Sequence, residues 1–500
     1  MTLLAQLNSL ETTGLIRLVT VQPELEYLFR HALVQDAAYG SLLKNDRKRL
    51  HQSVGEVLEQ LYPQQLDEWA ATLALHFEKA EQPDKAVHYL IRAGDQADNS
   101  FANAEAMAFY QSAIAQAELV VQKKPDAQWH SRLAQLLESL ADVRERIGHH
   151  EAAREAYYRA LEIQELLPRS DTVMQARLYR KIGVAHTLQR QFAEASQALE
   201  QAEQYLGEMS CPLPNAAGNE WIELQIERAM YHYWKNEPAS MKKVSDRLLP
   251  VVEQIGTPLQ WSKALHCSYL YFFRVQRYVV SDEVIATVEG NLPVAEQTGK
   301  LPTIYDHYFT AGFFHLFRRE LDETEKHLHL CLELAERMGD PVRISRAANY
   351  LMFAARMRGQ PDVAQSYFET VLSTTWAGLV ADYTYTVKGC QAWIAWRAGK
   401  LAEARAFGMA GREILRQAPY PLPFQWVVYF PLLAVAVAEN QITEACEYAQ
   451  RILDPIQMIL PDDLTQQLEA AIHAAETKDD ESARTAFAAS LKLATEYGYV

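Results

Sequence analysis

Apolar positions along most of this chain recur at i, i+3, i+4 and i+7, the spacing of one face of an α-helix. The clearest stretch runs from Val342 to Ser373: VRISRAANYLMFAARMRG, then QPD, then VAQSYFETVLS. It predicts a helix, a tight turn at Gly359-Gln360-Pro361, and a second helix whose Ala364, Phe368 and Val371 share one face. A small residue first in that trio lets two helices approach closely, and the larger ones fill the space beside it. The small position is followed through Ala86, Ala106, Ala153, Ala195, Met241, Val284, Thr324, Ala364, Ala404, Ala445 and Ala483, with Met241 and Val284 fitting weakly. From Thr324 onward the step is about 40 residues, which predicts a solenoid of helical hairpins. Matching first helices carry Gly94, Gly183 and Gly312 where the neighbouring helix is expected to cross.

The first residues follow another pattern. Leu3, Leu4, Leu7 and Leu10 predict a short amphipathic helix ended by Gly14, and LIRLVT and LEYLFRH predict two strands around VQPE. A helix followed by a hairpin makes residues 1–31 a partial winged helix. Residues 32–66 then form a helical junction, with Asn45 or Asp46 placed to cap its second helix. Repeats occupy 67–206 and 220–500. The Pro- and Gly-containing stretch GEMSCPLPNAAGN at 207–219 is expected to link them, and QAPYPLPF at 417–424 is a shorter irregular entry to the next helix. Trp426 to Ala438 is strongly apolar, but Pro431 interrupts it and Glu439 ends it, so a buried helix is expected rather than a membrane span.

Composition narrows the function classes. A net charge of -16 argues against nucleic acid as the main ligand, because that binding depends on neutralising phosphates. Five scattered cysteines without a CxxC fit a reducing compartment, and MTLLAQLNSLETTG lacks the basic start of a secretory signal, so a cytoplasmic location is expected.

No phosphate-cradling glycine loop is present: there is no G-x4-G-K-[ST], GxGxxG or GxSxG. The expectation is therefore no catalytic residue, no cofactor and no nucleotide turnover. His327, His329 and Cys331 do not predict a metal site, because on a helix His329 points away from the other two and a structural zinc ion takes four ligands. Asp462-Asp463 and Asp479-Asp480 fit helix starts, where carboxylates complement the dipole. Lys44, Arg47, Lys48 and Arg49 are the tight basic cluster, best suited to an interdomain surface.

Two resemblances add to this. The hairpins resemble tetratricopeptide (TPR) repeats, so the fold class expected is an all-α, TPR-like superhelical solenoid. Phe29-x-His31-x-Leu33-x-Gln35-Asp36-x-x-Tyr39, followed by Arg49-Leu50-His51, resembles a junction in bacterial STAND-type signalling ATPases. There an AAA-like NTPase module leads into a winged helix and a TPR-like array, often fused to class III adenylate or guanylate cyclase domains or transcriptional regulators. The resemblance implies a non-catalytic sensor or scaffold arm that binds a protein or peptide segment in the concave TPR groove. Two alternatives stay open: part of a cyclase or ATPase whose catalytic domains lie upstream or on a partner chain, and a small-molecule inducer-binding regulator. An aromatic belt from Trp221 to Phe317 suits such a groove. Placing Gly359 and Ala364 at TPR turn and second-helix positions predicts that Arg346, Asn349, Tyr350 and Arg356 project into the groove over an apolar floor of Phe309 and Phe313.

Overall fold

The computed structural model describes residues 3–20, 26–207, 216–374, 380–418, 422 and 424–500. The expected turn VQPE, most of the 207–219 stretch and Cys211 lie outside the described residues. The chain forms two compact units, residues 1–136 and 137–500.

The first unit opens with α1 (Leu3–Thr12) and the strands β1 (Ile16–Thr20) and β2 (Glu26–Phe29), which pair antiparallel with Ile16 opposite Phe29 and Leu18 opposite Tyr27. Then follow α2 (Ala32–Ser41), α3 (Lys44–Leu61), α4 (Ala70–Lys79), α5 (Pro83–Asn99), α6 (Asn103–Lys123) and α7 (Ala127–Arg146), which runs into the second unit. Leu43 occupies the N-cap of α3, so Asn45 and Asp46 sit in its first turn, and Asp46 contributes through the helix dipole instead of a cap bond. Lys44 and Lys48 both pair with Glu81, which takes two charges out of the basic cluster. Helix α5 packs on both α4 and α6. A Cβ on Gly94 would stand 2.7 Å from the Tyr110 ring, so glycine is what lets α5 and α6 meet there.

The second unit continues with α8 (His150–Glu165), α9 (Thr172–Leu188), α10 (Phe192–Leu206), α11 (Ala216–Trp234), α12 (Pro238–Ile255), α13 (Pro258–Val275), α14 (Asp282–Gly290), α15 (Leu292–Gln297) and α16 (Leu301–Arg318). After these come α17 (Leu321–Met338), α18 (Pro341–Met357), α19 (Pro361–Thr374), α20 (Val380–Arg397) and α21 (Leu401–Gln417). The last are α22 (Trp426–Ala438), α23 (Ile442–Ile452), α24 (Asp462–Glu476) and α25 (Asp480–Glu496). Consecutive helices pack as antiparallel hairpins, and the expected small position is buried in Ala153, Ala195, Met241, Thr324, Ala364, Ala404, Ala445 and Ala483. Val284 is only half-buried and Ile285 takes the inward place, in a second helix that is broken into α14 and α15 at Asn291. Helix α22 is buried along almost its whole length. Among the described residues no helix is long and apolar enough to cross a membrane.

An ion network ties α7 to α9. Arg177 donates to both Glu138 oxygens at 2.7 and 2.9 Å, and Lys181 bridges Glu138 and Asp142 at 2.7 Å each. Burial alone would raise the Glu138 pKa, but Lys181 and Arg177 outweigh it and hold the carboxyl at about 2. Its folded value lies below the ordinary 4.5, so its contribution is full above pH 4.5 and lost as pH falls towards 2. Glu138→Gln should cost on the order of 3 kcal/mol at pH 7. Urea denaturation of both proteins should show this gap close between pH 4.5 and 2, and a gap independent of pH would refute the assignment.

The array does not couple nearest neighbours alone. The segment after α23 returns to the turn after α13: Ile459 N–H donates to Arg277 O at 3.1 Å, and Arg277 Nε donates to Gln457 O at 2.9 Å. Arg319, in the turn after α16, donates to Tyr497 O. Tyr499 and Val500 are buried, with the Tyr499 ring against Trp426 and Phe430. The C-terminal hairpins thus pack back across the turns at 277, 319 and 357.

Candidate functional site

Four first helices of successive hairpins, α11, α13, α16 and α18, line a cavity of about 390 Å³. Helix α11 packs backbone-close on α13, and α16 on α18, whereas α13 and α16 stand further apart. Large rings hold them so: Phe273 of α13 meets Phe313, Phe314 and Phe317 of α16 at centroid distances of 5.3, 4.9 and 5.1 Å. The gap opens towards the N-terminal halves, where Ser262 and His266 face Asp306, His307 and Thr310.

The polar groups of the cavity wall mostly satisfy one another. His307 Nδ1 lies 2.9 Å from Thr303 O and therefore carries the proton, which leaves Nε2 to accept from the Ser262 hydroxyl. The Thr310 hydroxyl donates to Asp306 O at 2.8 Å and accepts from His266 Nδ1 at 3.1 Å. Burial pulls His266 down to about 4, so its imidazole is neutral at physiological pH. Lys263 pairs with Glu223 at 3.1 Å. Arg343 pairs with Asp340 at 2.7 Å and Asp306 at 3.4 Å, and these two carboxylates outweigh burial to raise its pKa. Burial raises the pKa of Glu227, which weakens its claim as a fixed negative charge.

Arg346 is different. Its guanidinium lies 4.3 Å from the Phe309 ring centroid and 5.4 Å from that of Trp234, and among the described residues it makes no hydrogen bond or ion pair. A guanidinium offers five N–H donors in a planar fork that matches a carboxylate. The cavity therefore holds one cation whose donors are uncommitted.

Of the six expected groove residues, Arg346 and Phe309 line this cavity and the other four do not. Asn349 is buried, and its Oδ1 accepts from Thr386 at 2.6 Å. Tyr350 and Phe313 are buried against each other, ring centroids 4.7 Å apart, in an aromatic cluster that also takes in Phe353 and Phe424. Arg356 is 1 % exposed and donates to Val427 O at 2.7 Å and Tyr499 O at 2.6 Å, so it is a core residue and its loss has to move stability. The expectation failed because helical phase says which residues leave the hairpin interface, but not that Thr386 of α20 covers Asn349, Phe424 packs on Tyr350 and Phe313, and α22 with Tyr499 seals Arg356. Much of the aromatic belt is likewise core, although Phe272 and Trp261 remain exposed. The signal that was missed is Ser262 with His266, Asp306 with Thr310, and Arg343 with Arg346, polar pairs four, four and three apart on α13, α16 and α18.

Comparison with known proteins places the hairpins. Residues 132–206 match the tetratricopeptide repeat family model. A Rap protein solved in complex with competence and sporulation factor aligns with a TM-score of 0.50 at 12% identity, over 74% of this chain and 98% of that one. At that identity the likeness shows the fold, a TPR-like all-α solenoid of helical hairpins. A STAND protein with a tetratricopeptide repeat sensor from Pyrococcus horikoshii aligns at 15% identity over 97% of this chain and 61% of that one, with a TM-score of 0.38. An uncharacterized protein of Rhizobium meliloti (strain 1021) is 30% identical over 109 residues, which are 21% of this chain and 10% of that protein's length.

Proposed function

We propose that this chain is a non-catalytic binding arm that captures a peptide or protein segment by its carboxylate in the cavity between α13 and α16. The observation that carries the reading is Arg346, a cation stacked on Phe309 with no carboxylate of its own. With Lys263 and Arg343 already paired and Glu227 biased towards its neutral form, the cavity favours an anionic group. Ile226, Met230 and Phe309 would take an adjoining apolar side chain. The TPR-like fold supports the reading, as does the Rap protein of that fold, solved with competence and sporulation factor. The junction residues Phe29 to Tyr39 and Arg49 to His51 extend it to the sensor arm of a STAND-type signalling ATPase. A small-molecule inducer is the second reading, since about 390 Å³ falls in the range of small-ligand sites.

Random peptide libraries displayed with a free or an amidated C-terminus separate these readings. Peptides selected by the wild type should lose binding at least tenfold on amidation and on Arg346→Gln, because charged hydrogen bonds are worth about 1.5–3 kcal/mol each. Selected peptides that bind the variant and the amide equally well would overturn the carboxylate assignment.

A further inference from the structure

We propose that Glu289, His315 and His327 form a binding site for a divalent transition-metal ion of the zinc class. Their ligand atoms all lie within 4.8 Å of one another, on α14, α16 and α17. His315 is 3 % exposed; its Nδ1 stands 2.6 Å from Glu320 Oε2 and its Nε2 3.1 Å from Glu289 Oε1. Donation of Nδ1–H to Glu320 fixes the tautomer and the ring orientation, leaving Nε2 as the ligand atom aimed at Glu289. That is the carboxylate–histidine arrangement which commonly supports a ligating imidazole.

His327 is the second and independent observation. It is 4 % exposed, and neither of its ring nitrogens has a hydrogen-bond partner among the described residues. A buried imidazole without partners is costly, and a metal ion is one group that would satisfy it. Its ring stacks on that of His315 with centroids 5.5 Å apart and planes 24° from parallel. Glu323 Oε2 stands 3.6 Å from His327 Nε2 and is within reach as a fourth ligand, with water as its alternative.

The donor set is two neutral nitrogens and a carboxylate oxygen, which suits zinc over calcium or magnesium. Glu289 is exposed, so the site has an open side through which an ion enters. Bound metal would pin α14 to the α16–α17 hairpin, and Val288, beside Glu289, lines the cavity described above. None of the three ligands lines that cavity, so the metal site stands independently of the proposed ligand there.

The test uses the full chain stripped with a chelator and titrated with zinc chloride against a chromophoric competitor, with cobalt(II) as a spectroscopic probe. One equivalent should bind at micromolar or tighter affinity, with cobalt d–d bands of a four- or five-coordinate site. Glu289→Gln, at an exposed position that leaves folding intact, should weaken binding at least tenfold. His327→Gln should weaken it further, and Glu320→Gln by about 10–100-fold through loss of orientation. His329→Ala, on the exposed face of the same helix, should leave it unchanged. Absence of a stoichiometric site in the wild type, or equal affinity in Glu289→Gln and His329→Ala, would overturn the proposal. Circular dichroism of each variant identifies any loss that reflects unfolding, and the exposed Glu289 position then decides.

Discussion

Arg356→Met is expected to destabilise the second unit by about 2–6 kcal/mol, the cost of leaving two buried backbone acceptors without donors. The arginine is held there by a defect in α22. Val427 O would ordinarily accept from the N–H four residues on, but that residue is Pro431, which has none. Arg356 Nη1 takes the vacant acceptor at 2.7 Å, and Nη2 takes Tyr499 O at 2.6 Å. The guanidinium also lies 4.9 Å from the Trp426 ring centroid and 5.7 Å from that of Trp393. Burial lowers its pKa, and these carbonyls and ring faces are what compensate the charge. Methionine fills a similar volume but leaves two buried carbonyls without donors, at about 1–3 kcal/mol each. Pro431→Ala returns an N–H to Val427 O, so the penalty of Arg356→Met should shrink by about 1–2 kcal/mol in that background. Urea melts of the four proteins in this cycle measure the coupling. An unchanged midpoint for Arg356→Met, or zero coupling to position 431, would show that this contact holds nothing together.

Ala364→Arg should cost about 3 kcal/mol or more, since the site is fully buried at the α18–α19 crossing and receives both bulk and an unpaired charge. In a simple solenoid the damage would stop at adjacent hairpins. Here it should travel. Helix α18 bonds to α22 and to residue 499 through Arg356, and a Cβ on Gly498 would stand 2.3 Å from Met357 O, so these segments touch backbone to backbone. The turns at 277 and 319 are tied to 457–459 and 497. Hydrogen exchange should therefore lose protection together from α13 to the C-terminal residues, while α8 to α10 keep theirs. Loss confined to α18 through α21 would restore the nearest-neighbour picture.

The hairpins were legible because each is a local object. A small residue opposite a crossing helix, a polar turn and a 3.6-residue apolar stripe all lie within about 40 residues, so Ala195, Thr324, Ala364 and Ala445 could be placed by periodicity alone. The glycines of first helices were legible for the same reason: a Cβ on Gly183 or Gly312 would stand 2.8 Å from Leu199 or Leu328 of the paired helix. Turns were less so. Gly359 and Gly399, like Asn236 and Asn440, mark a left-handed residue at the helix end, but the same conformation is held by Arg190 and Arg319, which carry no such mark.

The candidate site was hardly legible, and the reason is distance along the chain. Arg346 and Arg356 look alike on one amphipathic helix, yet one stacks over Phe309 in a cavity and the other is sealed beneath α22. His327 sits beside His329 and Cys331 in sequence, but its companions are His315 and Glu289, brought in by two other helices. Cys331 instead directs its thiol to Tyr305 O, and His329 bonds to Tyr367. Periodicity determined which residues each helix hides from its own hairpin partner. Only the return of the C-terminal hairpins across the turns, and the spreading of α13 from α16 by four phenylalanines, decided which of the remaining faces are covered and which enclose a site, because those depend on contacts between segments up to 180 residues apart.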